Sequence, residues 1–169
     1  MKNLFLYTFL VFLFIGSQSV FAQKSHGTLY NPSANAQEDI TKLLSQAKEE
    51  GKHLVLQVGG NWCGWCYKFN NFIQQDSTVN KIVDENFLVY HLNFSKENKN
   101  VALLKKYEFP QRMGFPVLVI LDADGRRIHT QDSSMLESGD GGYDEKKVAN
   151  FYKSWTAFAI DPVTYETEE

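Results

Sequence analysis

The feature that most restricts the fold is a cysteine pair, Cys63 and Cys66, placed where a predicted strand gives way to a predicted helix. Residues 53–58 (HLVLQV) form a short apolar run, which is typical of a strand buried on both faces. Residues 59–61 interrupt that run, and apolar residues at helical spacing follow the cysteines from 69 to 73. A buried strand that leads directly into a helix indicates a fold in which helices cover a sheet.

The rest of the chain continues this alternation. Apolar spacing predicts further helices at 34–51, around 79–83, at 98–109 (with Val101, Leu104 and Tyr107 on one face) and from Asp144 to Ala159. Apolar runs rich in β-forming residues predict strands at 87–94 and 116–122, and the turn sequence ADGR leads into a return strand at 127–131. Alternation followed by a hairpin predicts an α/β fold with a central mixed sheet flanked by helices on both faces.

The N-terminus has the composition of an export signal. Lys2 precedes an apolar run from Leu4 to Ile15, and small residues place a cleavage site after Ala22. The run is shorter than the roughly 20 apolar residues that a membrane span needs. We therefore expect no stable membrane anchor and a periplasmic or secreted protein. The expected organisation is a signal peptide (1–22), a lead-in linker (23–33), one domain (34–160) and an acidic tail (161–169).

Composition narrows the possible partners. The chain has 169 residues, of which 43% are hydrophobic, so one domain can bury a core without needing disulfides. The net charge is −3 and no basic run exceeds a pair of residues, which argues against nucleic acid as a partner. We expect a monomer.

Three kinds of chemistry could explain the cysteine pair. A structural disulfide across so short a loop would constrain the unfolded chain little. A structural zinc site needs four ligands, and the chain offers one C-x-x-C and four scattered histidines, His26, His53, His91 and His129. A redox pair explains the strand–helix context better than either alternative.

A redox pair also has a physical rationale at this place. Cys63 would lie at a helix N-terminus, where free backbone N–H groups and the helix dipole favour a thiolate. Cys66 would lie one turn later on the same side of the helix. We therefore expect Cys63 to be the exposed nucleophile that forms a mixed disulfide with a partner, and Cys66 to resolve it.

Two stretches resemble the thioredoxin superfamily. NWCGWCYKF after LVLQV is similar to the active-site segment of that family, and MGFPVLVILDADGRRI is similar to its later segment, a cis-proline before a strand and hairpin. The resemblance extends from Ala36 to Ala159 and implies a thioredoxin-like fold. It implies that Cys63 and Cys66 form a redox-active disulfide.

The resemblance also implies a substrate-binding surface around that disulfide. Trp62 would be an aromatic platform beside the nucleophile. Pro116 would be the cis-proline facing the disulfide, and Phe115 would offer backbone groups to an extended substrate chain.

The chain departs from the family pattern at several positions. Members of the thioredoxin type hold a buried acid six residues before the first cysteine, where this chain has Gln57. A glutamine cannot accept the proton of the resolving thiol, so water or another group must do so. Between the cysteines stand Gly64 and Trp65, and we hypothesise that the bulky, partly exposed Trp65 helps to select partners.

The sequence thus predicts a thiol–disulfide oxidoreductase without bound cofactor or metal. We expect it to reduce disulfides of cysteine-containing exported proteins, with electrons from a membrane thiol reductant. An oxidase or isomerase, and a thioredoxin-fold binding module without turnover, are the alternatives. The loop at 132–142 is expected to be a solvated insertion.

Overall fold

Four strands form one mixed sheet in the computed structural model, which describes residues 28–166. The strands are β1 (His53–Gly59), β2 (Phe87–Asn93), β3 (Val117–Leu121) and β4 (Arg127–Asp132), in the spatial order β2-β1-β3-β4. β1 runs parallel to β2 and antiparallel to β3, and β3 pairs with β4 as a hairpin. The predicted mixed sheet is confirmed.

Six α-helices connect and cover these strands within the described range. They are α1 (Ala36–Glu50), α2 (Gly64–Gln75), α3 (Ser77–Asn86), α4 (Val101–Lys106), α5 (Glu145–Ser154) and α6 (Val163–Glu166). Local sequence sets several of their ends. The Asn35 side chain caps α1 by accepting a hydrogen bond from the Glu38 amide, and Gly51 ends that helix in the left-handed conformation at φ 65°. Asp76 and Asp144 cap α3 and α5 in the same way as Asn35.

The hydrophobic core is divided by the sheet into two layers. Val55, Leu118 and Ile120 point toward α2, α3 and α5, whose apolar residues include Phe69, Val83 and Tyr152. The alternate residues of the same two strands pack with residues of α1 and α4. Every residue of β1 and β3 is buried, as the apolar runs predict. Helices therefore cover both faces of the sheet, and β1 delivers the cysteine pair to its carboxyl end.

Two helical predictions are wrong in detail. The last long helix ends at Ser154 rather than Ala159, and Phe158 beyond it is 74% exposed. The Trp155 amide donates to the Tyr152 carbonyl and the Trp155 carbonyl accepts from His53 Nδ1 at 2.8 Å, so the chain leaves the helical path.

The face of α4 that is buried differs from the predicted one. Val101 is 63% exposed, whereas Leu103 is buried beside Leu104 and Tyr107. The helix is only six residues long, too short for apolar spacing to define one face.

The loop that follows β4 is more ordered than predicted. Residues Ser133–Leu136 form a 3-10 helix whose Ser133 and Leu136 are buried, and Glu137 bridges to Tyr143. Part of the segment is therefore packed against the domain, whereas residues 139–141 are exposed, as predicted for a solvated insertion.

Within residues 28–166, no helix is both long and apolar enough to cross a bilayer. The predicted signal peptide and cleavage site lie outside the described residues.

His91 makes the stability of the fold sensitive to acid. Burial lowers the pKa of His91 from 6.5 to about 4. The unfolded chain therefore binds a proton that the native state does not as the pH falls from 6.5 to 4, and His91 lowers the free energy of unfolding across that window. His91→Phe keeps a ring against Tyr30, which the imidazole contacts edge-on at 5.5 Å.

We expect the variant to lose less stability than the parent between pH 6.5 and pH 4, as measured by urea unfolding at each pH. Parallel pH curves for parent and variant would contradict this assignment.

Candidate active site

The two cysteines form a disulfide at the start of α2. Their Cα atoms are 5.3 Å apart, and the bond closes across one turn of the helix. Cys63 is the N-cap residue, and its Sγ accepts a hydrogen bond from the Cys66 amide at 3.2 Å. A backbone N–H at a helix start is thus directed at the sulfur of Cys63, as the sequence predicts.

The disulfide is more buried than the sequence predicts. Cys63 is 4% exposed and Cys66 is fully buried, so the expected exposure of Cys63 is wrong for this oxidised state. Tyr30 forms a buried cluster with both cysteines, and Trp65 and Phe115 pack against that cluster. These aromatic side chains cover the sulfur atoms.

Trp62 is the most exposed of the predicted site residues, at 58% exposure. Its Nε1 donates to the Phe94 carbonyl at 2.8 Å, and its ring meets Phe115 edge-on at 5.1 Å. An apolar cavity of about 220 Å³ lies beside it, with Lys96 and Lys99 among its lining residues. Trp62 therefore forms one wall of an accessible apolar hollow.

Phe115 and Pro116 complete that side of the site. The peptide bond between them is cis. The Phe115 ring stacks on Phe94 at 5.2 Å and also contacts the cluster that contains the disulfide. The structure therefore brings together residues some 50 positions apart in the sequence, because Phe115 and Pro116 directly precede β3 and Trp62 and Cys63 directly precede α2.

Trp65 packs with the layer of α2, α3 and α5, on the opposite side of the sheet from Phe115, and it is only partly exposed. Its ring meets Tyr143 edge-on at 5.6 Å, and Lys68 Nζ lies 4.1 Å from the ring centre. Lys68 also donates to the Gly141 carbonyl at 2.7 Å, which ties the segment after β4 to α2. This segment therefore forms the second wall of the site.

Beneath the disulfide lies Gln57, which is 2% exposed at the position where the family holds an acid. Its Nε2 donates to Tyr30 Oη at 2.9 Å and to the Cys66 carbonyl at 3.1 Å. Gln57 therefore connects the strand, the helix and the segment before α1.

Tyr30 is a site residue that the sequence does not predict. It is fully buried although it belongs to the predicted lead-in linker. Asn61 holds its backbone on both sides, because the Tyr30 amide donates to Asn61 Oδ1 at 3.0 Å and Asn61 Nδ2 donates to the Tyr30 carbonyl at 2.8 Å. The one available signal was that Leu29 and Tyr30 are the only large apolar residues in an otherwise polar stretch.

Burial raises the pKa of Tyr30 well above its ordinary value, although the hydrogen bond from Gln57 acts in the opposite direction. The phenol is therefore a protonated hydrogen-bond donor at neutral pH.

The part of the chain that the structure describes contains no cluster of metal-binding side chains. No three His, Cys, Asp or Glu side chains there lie close enough together to hold an ion.

A substitution at Gly59 would test how closely the atoms around the disulfide pack. A Cβ there would lie less than 3.0 Å from both Cys66 Sγ and Tyr30 Oη. Neither atom can yield easily, because one is held in a disulfide and the other ends a buried ring. We expect Gly59→Ala to destabilise the oxidised protein by about 1–3 kcal/mol in urea unfolding.

Gly64→Ala is the matched control, since a Cβ at Gly64 meets nothing within 4 Å. It should leave the free energy of unfolding of the oxidised protein nearly unchanged. Equal stability of the Gly59→Ala protein and the parent would refute the packing described here.

Comparison with curated proteins identifies relatives that act on disulfides. The disulfide bond reductase DsbH of Chlamydia pneumoniae is 28% identical over 131 residues, which cover 72% of this chain and 75% of that protein. The thiol:disulfide interchange protein DsbD of Salmonella typhi is 28% identical over 89 residues, covering 53% of this chain but only 15% of that much longer protein.

Structural comparison gives the same fold. The disulphide isomerase from Xylella fastidiosa Temecula1 superposes with a TM-score of 0.61 at 21% identity, covering 75% of this chain and 95% of that one. Residues 40–134, more than half of the chain, match the family described as a thioredoxin-like domain. The mixed sheet, the disulfide at the start of α2 and this match together show that the chain belongs to the thioredoxin-like domain family.

Proposed function

We propose that this chain is an exported thiol–disulfide oxidoreductase that reduces disulfides of cysteine-containing proteins. The observation that carries the proposal is the hydrogen bond from the Cys66 amide to Cys63 Sγ at the start of α2. In the reduced protein the same N–H would favour a thiolate on Cys63, and a thiolate is the species that attacks a disulfide.

The reaction proceeds in two exchanges. The Cys63 thiolate attacks one sulfur of a partner disulfide, the partner S–S bond breaks, and the other partner sulfur leaves as a thiolate. Cys66, as a thiolate, then attacks Cys63 Sγ and displaces the second partner sulfur. Two electrons have passed to the partner, and Cys63 and Cys66 are joined in the disulfide that the structure contains.

The partner would bind on the side of Trp62. Trp62 is exposed, and Phe115 contacts both its ring and the cluster that contains the disulfide, so an extended chain could place its own disulfide against Cys63 while packing on both rings. The backbone groups of Phe115, just before Pro116, would pair with that chain. Trp65, held by Tyr143 and Lys68, would contribute to partner selection as a fixed wall.

Reduction rather than oxidation is favoured by the relatives. The Chlamydia pneumoniae protein is a disulfide bond reductase by name, and the chain also matches part of the thiol:disulfide interchange protein DsbD. The electron source would be a membrane thiol reductant. With the apolar N-terminal run, these relatives support export to the periplasm or the outside of the cell.

An oxidase or isomerase would use the same two sulfurs with the electrons moving the other way. Equilibration with glutathione separates these possibilities, because a reductase has the more negative reduction potential. A binding module without turnover would hold clients through the same surface but would not catalyse their reduction.

The chain organisation proposed for this function is a signal peptide at 1–22, a lead-in at 23–33, the domain at 34–160 and a tail at 161–169. Removal of the first segment would leave Leu29 and Tyr30 in place on the domain.

Two single substitutions test the mechanism in a disulfide-reduction assay. Cys63→Ser should abolish turnover, because no nucleophile remains at the helix start. Cys66→Ser should form the mixed disulfide with a disulfide-containing protein but fail to release it, which non-reducing electrophoresis would detect.

The parent protein is the control, and both variants should keep the folded structure, because a core of this size does not depend on the disulfide. Equal rates for Cys63→Ser and the parent would refute an oxidoreductase and leave the binding module.

A further inference from the structure

We propose that the Tyr30 hydroxyl donates a hydrogen bond to the Cys66 sulfur in the reduced protein and thereby controls how readily the resolving thiol ionises. The inference rests on the proposed function, in which Cys66 must become a thiolate to release the partner. It assigns to the segment before α1 a part in the chemistry of the disulfide.

The first support is geometric. A Cβ on Gly59 would lie less than 3.0 Å from both Cys66 Sγ and Tyr30 Oη, so these two atoms converge on the same point at the end of β1. Both side chains are fully buried and belong to one cluster with Cys63. Water is therefore poorly placed to solvate the Cys66 sulfur.

The second support is the hydrogen-bond inventory of the phenol. Tyr30 Oη accepts a hydrogen bond from Gln57 Nε2 at 2.9 Å. Its own proton has no acceptor among residues 28–166 in this oxidised state. A buried donor without an acceptor is unfavourable, and a thiolate formed on Cys66 would supply one.

The third support is the direction of the Gln57 hydrogen bond. Gln57 cannot take the proton of Cys66, but by donating to the phenol oxygen it makes the Tyr30 hydroxyl a stronger donor. The phenol itself stays protonated, because burial raises the pKa of Tyr30. Tyr30 therefore stabilises the thiolate by a hydrogen bond and does not remove the proton.

The proton balance of the step follows from this role. Cys66 gives up its proton as it becomes a thiolate, and it then attacks Cys63 Sγ. The bond between Cys63 and the partner breaks, and the departing partner sulfur takes up the proton that Cys66 gave up. Tyr30 begins and ends the step neutral.

The titratable side chains near Tyr30 do not replace its phenol as the hydrogen-bond donor to Cys66. The titratable side chains that act on it are Tyr67 on α2, Tyr143 after β4 and His91 on β2. Burial lowers the pKa of His91 to about 4, so its imidazole is neutral at pH 7. Asn61, which holds the Tyr30 backbone at both its amide and its carbonyl, fixes the position of the ring.

The test isolates Cys66 as the one remaining thiol. In Cys63→Ser protein, the thiolate absorbance is followed against pH with and without Tyr30→Phe. Loss of the phenol hydroxyl should move the midpoint of the Cys66 titration upward by about one pH unit, which is about tenfold less thiolate at a given pH below it.

The matched control is Tyr107→Phe in the same Cys63→Ser protein. Tyr107 is also a buried tyrosine, but it lies in the layer of α1 and α4, and its hydroxyl has no partner in the described part of the chain. This substitution should leave the Cys66 midpoint where it is. An unmoved midpoint in Tyr30→Phe, or equal shifts in the two variants, would overturn the proposal.

A second variant covers the case in which Tyr30→Phe does not fold. Gln57→Leu keeps the apolar volume but removes the donor to Tyr30 Oη, so it should move the Cys66 midpoint in the same direction by a smaller amount. No shift in a folded Gln57→Leu protein would then overturn the proposal.

Turnover gives an independent readout. With both cysteines present, Tyr30→Phe should form the mixed disulfide at the rate of the parent but resolve it several-fold more slowly, as seen by acid quenching and non-reducing electrophoresis. Equal resolution rates would overturn the proposal while leaving an active parent as an oxidoreductase. A parent without turnover would refute the proposed function, whereas the Cys66 titration would still decide the role of Tyr30.

Discussion

The interaction on which this site depends is the hydrogen bond from the Cys66 amide to the sulfur of Cys63. A helix N-cap is usually an oxygen-bearing side chain that satisfies the free amides of the first turn. Here a sulfur takes that place. Because β1 is buried on both faces and fixed between β2 and β3, the start of α2 and its two cysteines are held at one edge of the sheet.

The surroundings of the disulfide are exposed to solvent on one side and buried on the other. Trp62 is 58% exposed beside an apolar hollow, whereas Cys63 is 4% exposed, so the proposed partner would meet the tryptophan before the sulfur. On the inner side, Gln57 and Tyr30 replace the buried acid of the family with two neutral polar groups joined by a hydrogen bond. Cys63 and Cys66, the proposed nucleophile and the proposed resolving thiol, thus occupy different environments although they share one bond.

Sequence reasoning succeeded where the signal was local. The apolar run at 53–58 predicted β1, and the cysteine spacing placed both sulfurs at the start of α2. It failed where distant contacts decide the outcome. The local pattern predicts His53 only as the first residue of β1, yet its Nδ1 binds the Trp155 carbonyl beyond the end of α5. Tyr30 lies in a polar stretch with no periodicity, and only the folded chain shows that it covers the disulfide.

The most direct measurement is the pH dependence of Cys63 alkylation in Cys66→Ser protein, where it is the one thiol left. If the backbone amide stabilises the thiolate, the rate should be half-maximal at least about one pH unit below the value of free cysteine, near 8.5. A half-maximal rate at or above the free-cysteine value would contradict the account, because the helix start would then contribute nothing to the reactivity of Cys63.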